Sequence, residues 1–353
     1  MSAASLPSYS AYPIVQAPMA GGAANPRLAT AVAAAGGFGF LAAGYKTPEA
    51  MYEEVRQLRD QSTQPFGVNL FMPQPQATDP SAVAVYAEQL AGEEAWYGAP
   101  LGDPDAGTDD AYEAKVAILL EDPVPVVSFT FGCPAPKVLD AFRKAGTFTV
   151  VTATSVAEAQ AAEWAGAGAV CVQGAEAGGH QGTHRDDPLL DGCGNGLLAL
   201  LPQVREAVAL PLIAAGGLMR GGQVAAVLAA GAAAAQLGTA FLVCPESGAH
   251  PLHKQAVTDP VFTRTEMTRA FSGRPGRALV NRFVREHGRY APPGYPQIHH
   301  LTAPLRKAAA DGGDPQAMAL WAGQGHRLAR EASAGRLMEL LVEEMQSARE
   351  AVA

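Results

Sequence analysis

The sequence is poor in cysteine. Its four cysteines are scattered and form neither a Cys-x-x-Cys pair nor a group with ligand-spaced histidines: Cys133, Cys171, Cys193 and Cys244. A disulfide framework and a structural zinc site are therefore not expected, and no metal site is predicted. The N-terminal segment MSAASLPSYSAYPIVQ also lacks the basic start and apolar run of a secretory signal. These absences favour a cytoplasmic protein in a reducing compartment.

Positive charge is also scarce. Lys and Arg total 25 against 34 Asp and Glu, which leaves a formal net charge of −9 over 353 residues. Nonspecific binding to nucleic acid or to an anionic membrane requires a basic surface, so neither partner is expected. One uncharged stretch, Gly221 to Pro245, is long enough to raise the question of a membrane span. Gly231 divides it into a helix-like half and a strand-like half, which favours a buried helix–strand unit.

Several catalytic motifs are missing. The chain has no GxxxxGK[ST] loop, no GxSxG elbow, no HExxH pair and no paired carboxylates with an obvious reason to share a site. The glycine-rich segment Gly36–Gly39 precedes the second predicted strand instead of following the first. Nicotinamide binding by a Rossmann half is therefore unsupported.

Short apolar runs recur along the chain, with Ala-rich helical segments ending in Gly between them. Continuous apolar character, without alternation, is typical of parallel strands that are covered on both faces. Eight strand–helix units predict an α/β fold of the (β/α)8 barrel type, although periodicity alone leaves a doubly wound open sheet possible. The predicted strands are Ile14–Met19, Phe38–Ala43, Phe66–Phe71, Val124–Phe131, Phe148–Thr154, Ala169–Gly174, Pro211–Gly217 and Ala233–Gly238.

Two stretches exceed what a minimal barrel needs. We expect residues 1–242 to form the barrel, with an insertion at about 72–123 that is rich in Pro, Gly and acidic residues. Residues 243–314 are expected to form a smaller, mainly helical cap domain over one end of the barrel, because loops of this size are usually functional. The amphipathic pattern of residues 315–353 predicts C-terminal helices that pack back on the barrel.

Polar residues and glycines gather after the predicted strands, where the active sites of barrels lie. Gly216-Gly217 follows the seventh strand and Gln236–Thr239 follows the eighth. Glycine lets a backbone approach a ligand closely, and loops at these positions commonly bind phosphate through their N–H groups. Either loop alone is explained equally well by a tight turn. The two neighbouring loops together favour an anion site.

A histidine stands between glycines in the loop after the sixth strand, Gly178-Gly179-His180-Gln181-Gly182. Imidazole takes or gives a proton near neutral pH, and flanking glycines allow its ring to approach a bound molecule. A lone histidine is more often an ordinary surface-loop residue, and nearby Glu176 is explained well as a helix cap or the partner of a cation. His180 is therefore a hypothesis for a catalytic acid–base group.

These residues belong to a longer set of motifs. QAPMAGG, FGVNLF, CVQGAEAGGHQG, LIAAGGLMRGG, QLGTAFL, AFSGRPGRALVNRF and LWAGQG resemble, in order, segments of the nitronate monooxygenases, formerly called 2-nitropropane dioxygenases. The resemblance runs from about Gln16 to about Gly325. EAGGHxG together with SGRP and NRF is its most specific part.

The resemblance implies an FMN-containing barrel that oxidises alkyl nitronates, and neutral nitroalkanes as a further substrate class, with O2 to carbonyl compounds and nitrite. His180 corresponds to the catalytic base of the family. The oligomeric state is left open, a homo-oligomer included. The implied flavin contacts are Met19, Asn69, Gln173, Gly178, Gly179, Gly216, Gly217, Gln236, Leu237, Gly238 and Thr239.

Two other functions remain open on the sequence. A flavin-dependent NAD(P)H reductase, of the enoyl-acyl-carrier-protein or quinone type, shares the GGH loop and the SGRP segment, so His180 does not separate it from a nitronate monooxygenase. NRF and WAGQG favour nitronate oxidation. A flavin- or phosphate-ligand-binding barrel without turnover is the second alternative, and it assigns no role to His180.

Overall fold

The computed structural model describes residues 9–74, 78–107, 109–187 and 194–351. Cys193 lies outside these ranges. Eleven strands occur in the described residues, eight of them in one parallel sheet. In chain order they are β1 (Ile14–Gln16), β2 (Gly39–Ala42), β3 (Phe66–Phe71), β4 (Val126–Thr130), β5 (Phe148–Ala153), β6 (Ala169–Gln173), β7 (Gly179–His180), β8 (Leu212–Ala215), β9 (Ala234–Leu237), β10 (Thr265–Thr268) and β11 (Gly276–Leu279).

The parallel sheet closes into a barrel. Its strands are hydrogen-bonded in the order β1-β9-β8-β6-β5-β4-β3-β2. The two ends meet at a parallel bridge between Val15 and Phe38, where the N–H of Gln16 donates to the carbonyl of Phe38 at 2.8 Å and the N–H of Phe38 donates to that of Ile14 at 2.9 Å. Closure of the eight-stranded sheet confirms the predicted (β/α)8 barrel and excludes the open doubly wound sheet.

Helices follow the strands, and several begin at residues that cap them. Asn25, Thr47 and Ser155 each accept a hydrogen bond from a backbone N–H in the first turn of the helix that follows, which satisfies a donor that the helix itself leaves free. The α-helices are α1 (Pro26–Ala34), α2 (Pro48–Gln61), α3 (Pro80–Gln89), α4 (Ala91–Tyr97), α5 (Tyr112–Glu121), α6 (Pro136–Lys144), α7 (Val156–Ala165), α8 (Leu197–Ala207), α9 (Gly221–Ala229), α10 (Thr239–Leu242), α11 (Pro251–Thr258), α12 (Arg282–His287), α13 (Gln297–Asp311) and α14 (Ala334–Ala351).

The uncharged stretch around Gly231 forms α9 and β9, the buried helix–strand unit that its pattern predicts. No helix within the described residues has both the length and the apolar character that crossing a membrane requires.

Apolar side chains form two layers, one inside the barrel and one between its strands and the surrounding helices. Alternate strand residues point inward, and Val15, Phe40 and Ile213 belong to the inner cluster. The opposite faces of the strands pack against the helices in a larger cluster. The C-terminal helix α14 joins this outer layer by packing against α9 and α1. Burial on both faces explains why the strands are apolar without alternation.

A second core lies beside the barrel. It is formed by α3, α4 and α11–α13, and the segment Ala317–Ala322 contributes to it. The unit also contains an antiparallel sheet in the order β10-β11-β7, which the sequence pattern does not predict. The third strand, β7, is Gly179–His180 from the loop after barrel strand β6, and it pairs with Gly276 and Arg277 of β11. This pairing ties the histidine loop of the barrel to the second unit.

Candidate active site

A cavity of about 490 Å³ opens where the barrel strands end, between the barrel and the second unit. Its volume is typical of small-molecule sites. Leu237 does not line it: the side chain is buried between the barrel strands and the surrounding helices, and the carbonyl accepts a hydrogen bond from the N–H of Ala17. The other predicted site residues all line this cavity: Met19, Asn69, Gln173, Gly178, Gly179, His180, Gly216, Gly217, Gln236, Gly238 and Thr239.

The loops after β8 and β9 present free backbone donors to the cavity. The N–H groups of Gly217, Gly238 and Thr239 make no hydrogen bond to any residue that the structure describes. Gly217 has a φ of +67°, and a Cβ placed there would lie 2.9 Å from the Cβ of Glu176. Unpaired N–H groups on glycine-containing loops form a local electropositive site that suits an anion.

Glu176 helps to build this region as a structural group. Both of its carboxylate oxygens accept from the N–H of Leu197, each at 2.9 Å, at the start of α8. A carboxylate at a helix N-terminus satisfies a free donor and interacts favourably with the helix dipole. Of the two interpretations of Glu176 from the sequence, the helix cap agrees with these contacts.

Two amides position polar atoms at the mouth of the barrel. Nδ2 of buried Asn69 donates to the hydroxyls of Ser128 and Thr130 at 2.9 and 3.0 Å, which leaves its carbonyl oxygen to accept from a ligand. Gln173 instead holds the histidine loop. Its Nε2 donates to the carbonyl of His180 at 3.2 Å, and its Oε1 accepts from the N–H of Gly182 at 2.7 Å. Gln173 therefore fixes the backbone on both sides of Gln181.

His180 lies in an aromatic pocket that the sequence does not predict. Its ring centroid is 4.8 Å from that of Trp321 and 5.8 Å from those of Phe131 and Tyr295. Nε2 is 2.8 Å from the hydroxyl of Ser272, the serine of the SGRP segment. Burial, together with the positive charges of Arg274 and Arg306, lowers the pKa of His180 to about 3. The imidazole is therefore neutral near pH 7 and able to accept a proton.

The arginine of the SGRP segment also holds the loop that carries His180. Arg274 is fully buried, and its guanidinium lies 4.2 Å from the centre of the Phe131 ring. It donates to the carbonyl of Gln181 at 3.4 Å and to the hydroxyl of Thr183 at 3.0 Å. Gln173 and Arg274 thus hold opposite sides of the segment that carries His180.

A second group of cavity residues, His299 and Arg306 of α13 with Tyr45 of the loop after β2, was not among the predicted site residues. The rings of His299 and Tyr45 are stacked, with centroids 4.1 Å apart and an angle of 5° between the planes. The hydroxyl of Tyr295 donates to that of Tyr45 at 3.3 Å. Arg306 lies beside this stack on the cavity wall. For His299 and Arg306 the sequence signal is the aromatic and basic character of the 289–307 segment, which does not show what these side chains face.

A closed barrel with a cavity at the carboxyl ends of its strands, backbone N–H groups without partners among the described residues and a half-buried neutral histidine defines a barrel suited to proton transfer. The chain belongs to the nitronate monooxygenase family, whose model matches residues 6–344. It is therefore an oxidoreductase of this type, acting on nitro compounds.

Two relatives have names that agree with this assignment, and a third solved structure is similar to the chain. A probable nitronate monooxygenase of Bacillus subtilis is 36% identical over 343 residues, covering 94% of this chain and 95% of that protein. A solved nitroalkane oxidase from Streptomyces ansochromogenes is 65% identical with a TM-score of 0.97, covering 99% of each chain. FabK from Thermotoga maritima is 28% identical with a TM-score of 0.76, covering 97% of this chain and 95% of that one.

Proposed function

We propose that this protein uses FMN and O2 to oxidise alkyl nitronates, and neutral nitroalkanes that it first deprotonates, to carbonyl compounds and nitrite. The observation that carries the proposal is a half-buried, neutral His180 in the same cavity as the free backbone donors of Gly217, Gly238 and Thr239. The nitroalkane oxidase from Streptomyces, which matches nearly the whole chain, supports the same substrate class.

The residues present fit FMN. The three free N–H groups suit the phosphate, and no Asp or Glu is among the described residues that line the cavity to repel it. The free carbonyl oxygen of Asn69 and the side chain of Gln236 supply polar atoms for the edge of the ring system, and Met19 supplies an apolar contact. When bound, the flavin supplies the electron-transfer chemistry that protein side chains lack.

His180 provides the proton chemistry. A nitroalkane must lose a proton from the carbon next to the nitro group to become a nitronate, and a neutral imidazole accepts that proton. The charges of Arg274 and Arg306, which depress the pKa of the ring, favour the anionic product at the same time. The hydrogen bond to Ser272 and the three aromatic rings hold the imidazole in place.

The substitution His180→Asn tests this role. We expect the purified variant to keep its flavin and to oxidise nitroethane about 100-fold or more slowly, which is the usual contribution of a general base. Ethyl nitronate prepared in advance should be affected less, because its proton has already left. Oxygen consumption with each substrate and the visible absorption spectrum give the three measurements. Oxidation of nitroethane at the parent rate would exclude His180 as the base.

The flavin-loaded parent protein also distinguishes the proposed function from the two alternative functions. Anaerobic bleaching of the flavin by a nitronate, and not by NADH, is expected. Bleaching by NADH alone would instead indicate a reductase, the alternative that the sequence leaves open. A flavin that reacts with neither would indicate a binding protein without turnover, and a colourless protein that takes up no FMN would rule out the proposed cofactor.

A further inference from the structure

Arg306 is a cavity cation with no acidic partner in the part of the chain that the structure describes. Its Nε donates to the hydroxyl of Thr302 at 3.1 Å, and its Nη2 donates to the carbonyl of His299 at 2.8 Å and to Nδ1 of the same residue at 3.4 Å, all on its own helix, α13. No carboxylate among the described residues pairs with it. The neighbouring Lys307 differs, because it is largely exposed and forms an ion pair with Asp311 at 2.5 Å.

The guanidinium of Arg306 has N–H groups that remain available to bind a ligand. A guanidinium has five N–H groups in a planar fork, and the three acceptor atoms on α13 use only part of it. Burial lowers the pKa of Arg306 to about 10, so the side chain is still charged near pH 7. A partly buried charge without a counterion is costly, and a bound anion would offset that cost.

Arg306 shares its cavity with the catalytic candidate. Both Arg306 and His180 line the space, and the charge of Arg306 contributes to the low pKa of His180. The stacked rings of Tyr45 and His299 form the wall next to the guanidinium, and Tyr295 lies between this wall and His180. An anion bound to Arg306 therefore lies in the compartment that contains the imidazole.

We propose that Arg306 anchors the substrate by binding a planar anion with two oxygens, which is the nitronate group itself or a carboxylate elsewhere on the same molecule. The fork of the guanidinium matches both groups, since each presents two coplanar oxygens. The identity of the substrate rests on the proposed function, whereas the anion site rests on the contacts of Arg306 itself.

Two variants test the anchor. With Arg306→Gln we expect the KM for the anchored anion to rise about 10- to 100-fold, the range for a charge-assisted hydrogen bond, and the KM for neutral nitroethane to change little. Arg306→Lys, which keeps the charge and loses the fork, should recover part of the affinity. If the KM for ethyl nitronate rises, Arg306 binds the nitronate group. If the KM rises only for a nitronate that also bears a carboxylate, Arg306 binds the carboxylate. If the KM rises for neither substrate, the proposal is overturned.

The pH profile adds a readout that a structural defect would not produce. Among the residues that the structure describes, Arg274, Arg306, His299 and Tyr295 are the titratable or charged groups around His180. Removing the charge of Arg306 raises the pKa of His180, since that charge disfavours the imidazolium. The acidic limb of kcat/KM for nitroethane should therefore move to higher pH in Arg306→Gln and stay in place in Arg306→Lys.

A binding experiment separates this inference from the proposed function. Isothermal titration calorimetry of the flavin-loaded protein with nitrate or propionate, neither of which is oxidised, should show a Kd at least about tenfold weaker in Arg306→Gln than in the parent. Arg336→Gln on exposed α14 is the charge-matched control, with the parent Kd expected. If the parent does not oxidise nitronates but its Kd still depends on Arg306, only the proposed function is refuted. If the parent, Arg306→Gln and Arg336→Gln have the same Kd, the role of Arg306 as an anchor is refuted.

Discussion

At the scale of single residues, Gly217 is constrained by its conformation and by its surroundings. Its φ of +67° lies in the left-handed region, and an added methyl group would press on the Cβ of Glu176 at 2.9 Å. Glu176 in turn caps α8. Gly166 offers a comparison, because its φ is +90° and nothing lies within 4 Å of the position that a Cβ would take.

Gly217→Ala should reduce flavin retention as well as stability. An alanine in the left-handed region costs about 1–2 kcal/mol at either glycine, and only position 217 adds a collision beside the proposed phosphate cradle. We expect Gly217→Ala to be purified with most of its flavin lost, and Gly166→Ala to keep it despite a similar loss of stability. Flavin absorbance per protein and the urea midpoint measure the two effects. Equal flavin content in both variants would contradict the cradle.

His180 and the glycines were predictable because their signal is local. A histidine between glycines after a strand, and glycine pairs after two neighbouring strands, are visible in a few consecutive letters. Arg306 was not, since an arginine on an amphipathic helix looks like a solvated residue until the fold shows that it faces the cavity. The position of Leu237 is the opposite case: a site motif contains it, but strand alternation directs its side chain to the core.

At the scale of elements, a buried ion pair joins α4 to α12. Both oxygens of Glu93 accept from Arg282, at 2.6 and 2.7 Å, and one also contacts Nε2 of His287 at 2.9 Å. Burial alone would raise the pKa of Glu93, but the hydrogen bonds from Arg282 and His287 outweigh it and lower the pKa to about 2. The folded state therefore binds the ionised carboxylate more favourably than the protonated one.

Glu93→Gln should destabilise the protein in a pH-dependent way. Breaking a buried ion pair costs about 3–5 kcal/mol, and we expect roughly 2–3 kcal/mol here, because the side chain of Arg282 is 27% exposed. The contribution of a carboxylate with a depressed pKa is complete above its unfolded value of about 4.5 and is lost as the pH falls towards 2. Urea unfolding should therefore show a smaller difference in the free energy of unfolding between the parent and Glu93→Gln at about pH 3 than at neutral pH. A difference that is the same at both pH values would contradict the ionised pair.

The three-stranded sheet illustrates why some elements escape prediction. Strand β7 consists of two residues, Gly179 and His180, and its partner β11 follows far along the chain. So short a segment has no periodicity, and its pairing depends on the second core having formed. Barrel strands such as β2 and β3, in contrast, are four and six residues long and buried at every position, which gives them a mainly apolar sequence.

At the scale of the whole molecule, the site lies where two separately packed cores meet. Strand ends of the barrel supply the glycine loops, and α13 with Trp321 supplies the facing wall. The β7–β11 pairing and Arg277, whose Nε donates to the carbonyl of Ala175 at 2.8 Å, connect the two sides. A ligand that contacts both cores binds only the folded arrangement, so it should stabilise the whole chain.

Phosphate recognition can be measured through this coupling. A ligand that binds only the folded state adds about 2.7 kcal/mol at a hundredfold excess over its Kd. We expect FMN, added to protein from which the flavin has been removed, to raise the Tm clearly, and riboflavin at the same concentration to raise it much less. The two ligands share the ring system and differ in the phosphate, which the free N–H groups of Gly217, Gly238 and Thr239 are expected to bind. An equal rise in Tm would place the binding energy in the ring system and remove the anion cradle from the mechanism.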